Sequence, residues 1–474
     1  MTTNRQLDGE QKREFTRFEG FAFLIAMIGV QLASELFAQW GTYFYSPSTG
    51  TGRTVYVSIA FVAYIFMAGR LIDVFTDPLI GIWSDRLNFR PGRLRIVPIS
   101  GRRRPFVFWG SILMTLTGIA FWFPPVDGES SLNFVYGTVL MSLHWTMYTL
   151  AYIPILALAP EIARSQEARV RLGTWIGVGM VIGLLCAALL PGQLITMLDP
   201  ARQVDGSSEP QFSAVGYQRV AVIFAVVTLA CFQFFIWAVR ERELPEQATS
   251  KTPAARELLR TFQTPIFRHY FLIFFFFYIG TLANQRAIPY WADLGLGGDE
   301  GTVSLLGIPF AVTCLIGALS CPWLCARFEL KWLVVAALGF MTIGMPCMYG
   351  IAILHASYAN KLALGMLVYA LKGLGLGMMY VLVTPLIGEI IDLAEKRFGD
   401  RREAVFNAMH AVMVKSAQVI GIWVAVSIMG QFGNSVTEPT GAFLVAPISS
   451  LFCLIAMIFA CFYPVLNPVR NRER

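Results

Sequence analysis

The sequence predicts an all-α membrane protein with twelve transmembrane helices in two six-helix halves. Of its 474 residues, 56% are hydrophobic and only 14% are charged, a composition typical of integral membrane proteins. Twelve apolar segments are each long enough to cross a hydrocarbon core of ~30 Å, which takes about 20 helical residues. A polar stretch that contains proline separates the first six segments from the last six.

The predicted helices follow the chain in order, and the polar stretch at residues 241–266 is expected to be a cytoplasmic connector. The N-terminal half then covers residues 1–240 and the C-terminal half residues 267–474. The stretch Cys325-Ala-Arg327-Phe-Glu329-Leu-Lys331 is a degenerate echo of Gly81…Asp85-Arg86, which suggests that the halves are repeats. The segments are residues 19–45, 54–83, 105–124, 132–160, 170–197, 217–239, 267–291, 303–325, 331–354, 361–392, 402–430 and 443–466.

The distribution of lysine and arginine predicts the orientation in the membrane. The loop from Arg86 to Arg104 holds seven arginines, and both termini, the connector and the Lys396–Arg402 loop add further basic residues. Under the positive-inside rule both termini are cytoplasmic. Met1 to Phe18 is polar and lacks the pattern of a cleaved signal peptide, so none is expected. We expect a multi-pass protein of the plasma membrane, or of the cell inner membrane in a bacterium.

Several classes of function find no support in the sequence. The net charge of +7 follows from the topology, and no motif indicates a nucleic-acid partner. The eight cysteines lie in or beside predicted helices and imply neither disulfides nor a metal. The four histidines occur without His-Glu-x-x-His or Gly-x-Ser-x-Gly, so an enzyme is not expected. Gly373-x-Gly375-x-Gly377 follows no strand and predicts close helix packing. We expect no cofactor and a monomer in the lipid bilayer.

Helix 2 carries the most informative pattern in the chain. Asp73 and Asp77 lie one helical turn apart within an apolar segment, where an unpaired charge costs several kcal/mol. Because positions four apart share a helix face, the two carboxylates can converge on one cation. Two alternatives remain open: Asp73 pairs only with Arg70 one turn earlier, or Asp77 satisfies backbone groups freed by Pro78.

Four further ionisable residues in the predicted helices are candidates for the central cavity: Glu35, Arg286, Lys372 and Lys415. Lys415 lies about a dozen residues into helix 11, so we expect it to face the central cavity and pair with the helix-2 carboxylates when no cation is bound. If Arg286 or Lys372 also faces the cavity, a uronide or another acidic sugar should bind better than a neutral one. The alternative is that these two lie near helix ends or pair with protein carboxylates.

The motifs together resemble a known family. Asp73-x-x-x-Asp77-Pro78-x-x-Gly81-x-x-x-Asp85-Arg86, followed by Gly101-Arg102-Arg103-Arg104-Pro105-Phe106, resembles the glycoside-pentoside-hexuronide:cation symporters of the major facilitator superfamily, typified by the melibiose permease. The likeness extends over nearly the whole chain. It includes Tyr152-Ile-Pro154, Ala159-Pro160-Glu161, Arg256-Glu257-Leu258-Leu259 and the stretch from Ile390 through Asp392, Glu395, Arg401, Arg402 and Glu403 to Lys415.

The resemblance implies the major facilitator fold and secondary active transport of a sugar, a glycoside or a related small polar solute by alternating access. It assigns cation binding to Asp73 and Asp77, a site for Na⁺ or H⁺. Tyr152 stands where the family has a third acid, so either a neutral oxygen completes the site or coupling uses a proton. Two other functions on the same fold remain open: a carrier of a non-sugar solute such as a lysolipid, and a membrane receptor that transports nothing.

The resemblance also suggests where the solute binds and what gates the pathway. The family's sugar-binding acid in helix 1 falls at or near Gln31, with Glu35 one turn further, and an arginine early in helix 5 is replaced near Trp175. Aromatic side chains such as Tyr148 can stack on a sugar, although packing is their commoner role. The candidate solute residues are Gln31, Glu35, Tyr148, Lys415, Arg286 and Lys372. The candidate gating residues are Gly81, Asp85, Arg86, Arg102, Arg103 and Arg104.

Overall fold

A computed structural model of the chain describes residues 15–86, 101–163, 165–203, 212–241, 261–398 and 403–464. Within these ranges twelve helices are long and apolar enough to span a membrane, which confirms the predicted fold class. The helices are α1 (Arg17–Tyr45), α2 (Ile59–Arg86), α3 (Arg104–Phe121), α4 (Ser131–Ile162), α5 (Gln166–Leu198), α6 (Val215–Ala238), α7 (Pro265–Gly295), α8 (Glu300–Arg327), α9 (Leu330–Ile353), α10 (Tyr358–Phe398), α11 (Glu403–Phe432) and α12 (Thr440–Cys461).

The start of α2 differs from the prediction by five residues, because the chain before it is tied to the end of α1. The N–H groups of Tyr56 and Val57 both donate to the carbonyl of Tyr45, at 2.9 and 3.0 Å. These residues therefore cannot adopt the first turn of a helix, which begins at Ile59 instead of residue 54.

Two other ends also differ from the prediction. α12 ends at Cys461 instead of residue 466, because Tyr463 precedes Pro464 and a residue before proline disfavours helical geometry. α10 continues to Phe398, six residues beyond the predicted end, because hydropathy marks where a segment leaves the membrane and not where its helix stops. Residues 242–260 lie outside the described ranges, so the connector at 241–266 stays a prediction.

Glycine allows close helix contacts in the C-terminal half. A Cβ atom at Gly373 would lie 2.3 Å from the carbonyl oxygen of Phe310, and one at Gly377 would lie 2.0 Å from that of Cys314. Any larger residue would push α8 and α10 apart, so this glycine pattern is a packing feature, as predicted.

The two halves meet along α1 with α7, α2 with α11, and α5 with α8. We call the end of the bundle with the described loop residues 46–58, 122–130, 199–203, 212–214, 296–299, 354–357 and 433–439 the far end. The opposite end, where α1 begins and α12 ends, is the termini end. α1 and α7 each contain a π-helical segment near the far end, at Phe37–Gly41 and Trp291–Gly295.

Candidate functional site

The two carboxylates of α2 face a single hydroxyl group from α4. The hydroxyl of Thr149 lies 2.5 Å from Oδ1 of Asp73 and 3.0 Å from Oδ1 of Asp77. Two carboxylate oxygens and one hydroxyl oxygen therefore converge at this point. The hydroxyl has one proton and can donate to only one carboxylate at a time. The Asp73 side chain is 2% exposed and that of Asp77 is 26% exposed. The predicted convergence of the two carboxylates is therefore present in the structure.

Lys415 of α11 brings the other half of the protein to the same carboxylates. Its Nζ lies 3.0 Å from Oδ2 of Asp73 and also donates to Oδ2 of Asp77. The Lys415 side chain is 18% exposed. A single positive charge thus bridges both carboxylates across the interface between the halves, which is the pairing expected from the sequence.

Arg70 provides a second positive charge at Asp73, next to the same carboxylate oxygen that Lys415 contacts. Its Nη1 lies 3.5 Å from Oδ2 of Asp73, and its guanidinium lies 3.3 Å from the centre of the Trp145 ring. The Arg70–Asp73 pair considered from the sequence therefore exists, but it coexists with the Lys415 bridge. Two cations balance two carboxylates in this cluster.

Tyr152 lies close to the cluster without a hydrogen bond to either carboxylate among the described residues. Its ring lies 5.4 Å from that of Tyr148, and it interacts electrostatically with Asp77. The oxygen that contacts the carboxylates belongs instead to Thr149, which the sequence reasoning missed. Its signal was its position on the same face of α4, four residues after Trp145 and three before Tyr152.

Glu35 of α1 contacts the C-terminal half beside this cluster. Its Oε2 accepts a hydrogen bond of 2.8 Å from Nε2 of Gln285 in α7. The sequence reasoning missed Gln285, although three consecutive polar residues, Asn284 to Arg286, are conspicuous in an apolar helix. Gln31 points elsewhere in the N-terminal half, where its amide contacts the carbonyl of Met180 at 3.5 Å.

Arg286 and Lys372 are both buried, and both have protein partners. Arg286 donates to the carbonyl of Phe37 and to the hydroxyl of Thr42, both at 2.9 Å, and so joins α7 to the π-helical segment of α1. Lys372 donates to Oδ1 of Asn284 at 2.5 Å, and its chain packs against Gly344 of α9 within the C-terminal half. Their roles in solute binding stay predictions.

The basic cluster at the start of α3 binds Glu161 of α4 and Glu241, the first residue of the predicted connector. Arg102 and Arg103 each contact Oε1 of Glu161 at 2.9 Å. The backbone N–H groups of Arg102, Arg103 and Arg104 donate to the carboxylate of Glu241, each at 2.6 Å. The sequence reasoning did not assign Glu161 and Glu241 to this cluster.

The remaining gating candidates lie at the end of α2. A Cβ atom at Gly81 would meet nothing within 4 Å, so this position leaves open space beside the helix. The side chains of Asp85 and Arg86 lie outside the described residues. The gating role of all these positions stays a prediction.

A buried ionic network joins the halves at the far end. From the N-terminal half, Arg53 contacts Asp293 at 3.2 Å and Glu300 at 3.0 Å. Arg202 contacts Glu300 and reaches Asp299 at 2.5 Å. The hydroxyl of Tyr43 donates to Asp293 at 2.7 Å. These bonds tie the two halves together at the far end.

Three comparisons relate the chain to known proteins. A family model described as MFS/sugar transport protein matches residues 22–467. The isoprimeverose transporter of Lactiplantibacillus pentosus is 20% identical over 403 residues, which are 85% of this chain and 78% of that protein. The sodium-dependent lysophosphatidylcholine symporter 1 of Mus musculus is 27% identical over 207 residues, but these are only 40% of this chain and 37% of that protein.

The fold also matches solved structures. The crystal structure of a D-xylose-proton symporter has a TM-score of 0.63 and 13% identity, over 94% of this chain and 97% of that one. These relatives are transporters and not enzymes, as the sequence predicted for this chain.

Proposed function

The chain belongs to the MFS/sugar transport protein family, and its motifs and relatives assign it to the glycoside-pentoside-hexuronide:cation symporters. On that premise we propose that Asp73, Asp77 and Thr149 bind the coupling cation and that Lys415 takes its place when it is absent. The protein then couples the movement of this cation to that of a sugar or glycoside. The solute site lies beside this cation site and includes Glu35.

The observation that carries this proposal is the contact of one ammonium group with both α2 carboxylates across the two halves. An ammonium and a small monovalent cation carry the same charge and favour the same oxygen ligands. A cation that enters from solution can therefore displace Lys415 without leaving the carboxylates unpaired. The exposed edge of Asp77 offers the entry point, whereas Asp73 is buried.

Displacement of Lys415 supplies the coupling. With no cation, the lysine satisfies both carboxylates and the empty carrier can change conformation without burying an uncompensated charge. With the cation bound, the lysine loses these partners, and closure is favourable only when the solute adds contacts to both halves. Coupling of this kind limits movement of the cation alone.

We propose Na⁺ as the coupling ion. Two carboxylates and one hydroxyl oxygen around a shared position suit a metal cation, whereas a proton would need only one carboxylate. Among the described residues Tyr152 makes no hydrogen bond to either carboxylate, whereas the Thr149 hydroxyl contacts both, which supports Thr149 as the source of the neutral oxygen. Coupling to H⁺ remains the competing outcome of the experiment below.

The predicted orientation, with both termini in the cytoplasm, and the predicted monomer also belong to this proposal. Closure of the far end then corresponds to a carrier that faces the cytoplasm. A lysolipid is the weaker candidate solute, because the lysophosphatidylcholine symporter matches only 40% of this chain.

The test is uptake by the purified protein in proteoliposomes, with Na⁺ and H⁺ gradients imposed separately. The solutes are radiolabelled D-xylose, isoprimeverose and melibiose, with lysophosphatidylcholine as the alternative class. We expect concentrative uptake of at least one sugar under the Na⁺ gradient. Uptake driven only by the H⁺ gradient would show that the coupling ion is H⁺ and not Na⁺. A protein that binds sugar but accumulates none under either gradient would be a receptor.

A further inference from the structure

A carboxylate and a carboxamide from opposite halves meet beside the cation cluster. Glu35 of α1 and Gln285 of α7 lie 2.8 Å apart, and both side chains are only partly buried. Glu35 also interacts electrostatically with Arg70, which in turn contacts Asp73. The pair therefore joins the two halves and is linked to the proposed cation site through Arg70.

We propose that Glu35 and Gln285 form a clamp that binds adjacent hydroxyl groups of a neutral sugar, an inference that rests on the proposed function. A carboxylate has two oxygens and accepts hydrogen bonds from two neighbouring hydroxyls, while a carboxamide both donates and accepts. Without solute, the two side chains satisfy one another. A sugar that enters between them replaces their shared bond with one contact to each half.

This exchange links solute recognition to movement of the halves. Glu35 belongs to α1 and Gln285 to α7, so a bound sugar contacts both halves and holds them at one separation. A solute that reaches only one of the two side chains leaves the other without its partner, at a cost in affinity. Gln285 thus becomes a residue that determines specificity, although it carries no charge.

The local balance of charge favours a neutral solute over an acidic one. Three carboxylates near the interface face three cations: Glu35, Asp73 and Asp77 against Arg70, Arg286 and Lys415. Arg286 is hydrogen-bonded to α1, and Lys372 is directed into the C-terminal half beside α9. An acidic sugar between Glu35 and Gln285 would bring its charge against that of Glu35, and of the cations near this pair Arg70 already faces Asp73 and Arg286 is hydrogen-bonded to α1. This differs from the acidic preference considered from the sequence.

Gln285→Ala and Glu35→Gln test the clamp in proteoliposomes, with the sugar that the wild-type protein transports. We expect each change to raise the KM for this sugar about ten- to hundredfold, as for loss of a hydrogen bond to a charged group. Thermal stabilisation by Na⁺ without sugar should keep its wild-type midpoint. Gln233→Ala is the matched control, since Gln233 also donates a 2.9 Å hydrogen bond but to Ser111 within the N-terminal half.

The exchanged pair, Glu35→Gln with Gln285→Glu, separates recognition from a purely structural bridge. It restores one carboxylate and one amide across the halves but transposes them. We expect it to recover thermal stability while KM stays raised. Recovery of the wild-type KM would show that the pair is only a structural bridge between the halves and would overturn the clamp. If Gln285→Ala does not fold, Gln285→Asn keeps the amide one methylene short and provides the same comparison.

The outcomes also separate this inference from the proposed function. A wild-type protein that neither binds nor transports any sugar of the panel overturns the proposed function itself. A wild-type protein that transports a sugar, with both single variants at the wild-type KM, overturns only the clamp. Methyl β-D-glucuronide tests the charge argument, because competition equal to or stronger than that of its neutral glucoside would contradict the preference for a neutral solute.

Discussion

Glu300 offers the most quantitative test of how the two halves move. It accepts hydrogen bonds from Nε of Arg53 at 3.0 Å, from the hydroxyl of Tyr217 at 2.8 Å and from Arg202, and its side chain is 2% exposed. All three donors belong to the N-terminal half, whereas Glu300 begins α8 of the C-terminal half. These bonds therefore stabilise only the state in which the far end is closed.

The expected size of the effect follows from this burial. Removing one partner of a buried ion pair costs about 3–5 kcal/mol, because the remaining charges stay buried without compensation. Glu300→Gln keeps the shape of the side chain and can still accept hydrogen bonds, so we expect it to destabilise the closed far end by the lower value, about 3 kcal/mol. At 1.4 kcal/mol for each factor of ten, the equilibrium between closed and open far ends should shift about 150-fold toward the open state.

The assay is the distance between two spin labels, attached to cysteines introduced by Glu129→Cys and His355→Cys in an otherwise cysteine-free protein. Both positions are exposed on far-end loops, one in each half. Glu300→Gln should add a population at longer distance that the parent protein lacks. Glu438→Gln removes an exposed carboxylate at the same end and should leave the distribution unchanged. A folded Glu300→Gln protein with the parent's distance distribution would refute the role of the network in closure.

Three further predictions concern the proposed cation site. Lys415→Ala should slow both exchange and net uptake, because the empty carrier must bury Asp73 and Asp77 with only Arg70 nearby; transport at the wild-type rate would show the lysine to be peripheral. Thr149→Val should raise the Na⁺ concentration for half-maximal uptake about tenfold or more, while Thr149→Ser should leave it unchanged. Equal Na⁺ concentrations for the two variants would show that the hydroxyl is not part of the site. Asp77→Asn should abolish gradient-driven accumulation, and if it does not while Asp73→Asn does, coupling through protonation of one carboxylate becomes the better account.

The residues predicted best from the sequence are those whose chemistry conflicts with an apolar helix. Asp73, Asp77 and Lys415 lie deep within predicted apolar helices, where charges need partners. Their mutual contact in the structure follows from that need. The twelve helices were predictable for the same reason, since hydropathy alone marks the segments that a bilayer can hold.

The partners that the sequence missed are neutral or depend on which way a helix faces. Thr149 is an ordinary residue for a membrane helix, and only its distance to the α2 carboxylates gives it a role. The partner of Gln285 is 250 residues away, so no local pattern connects them. For Arg286 and Lys372 the sequence shows that the charges lie deep in their helices but not which neighbours they meet. In the structure Arg286 donates to α1, while Lys372 donates to Asn284 of α7 and packs against Gly344 of α9.

The most direct test of the account is the ratio of gradient-driven accumulation to solute exchange at equilibrium in the Asp73→Asn protein. The change removes a charge from the proposed cation site but keeps the shape of the side chain, and exchange reports whether the protein still folds and binds sugar. The account predicts that accumulation under an imposed cation gradient disappears while exchange remains measurable. Undiminished accumulation in this variant would contradict the assignment of the α2 carboxylates as the coupling site.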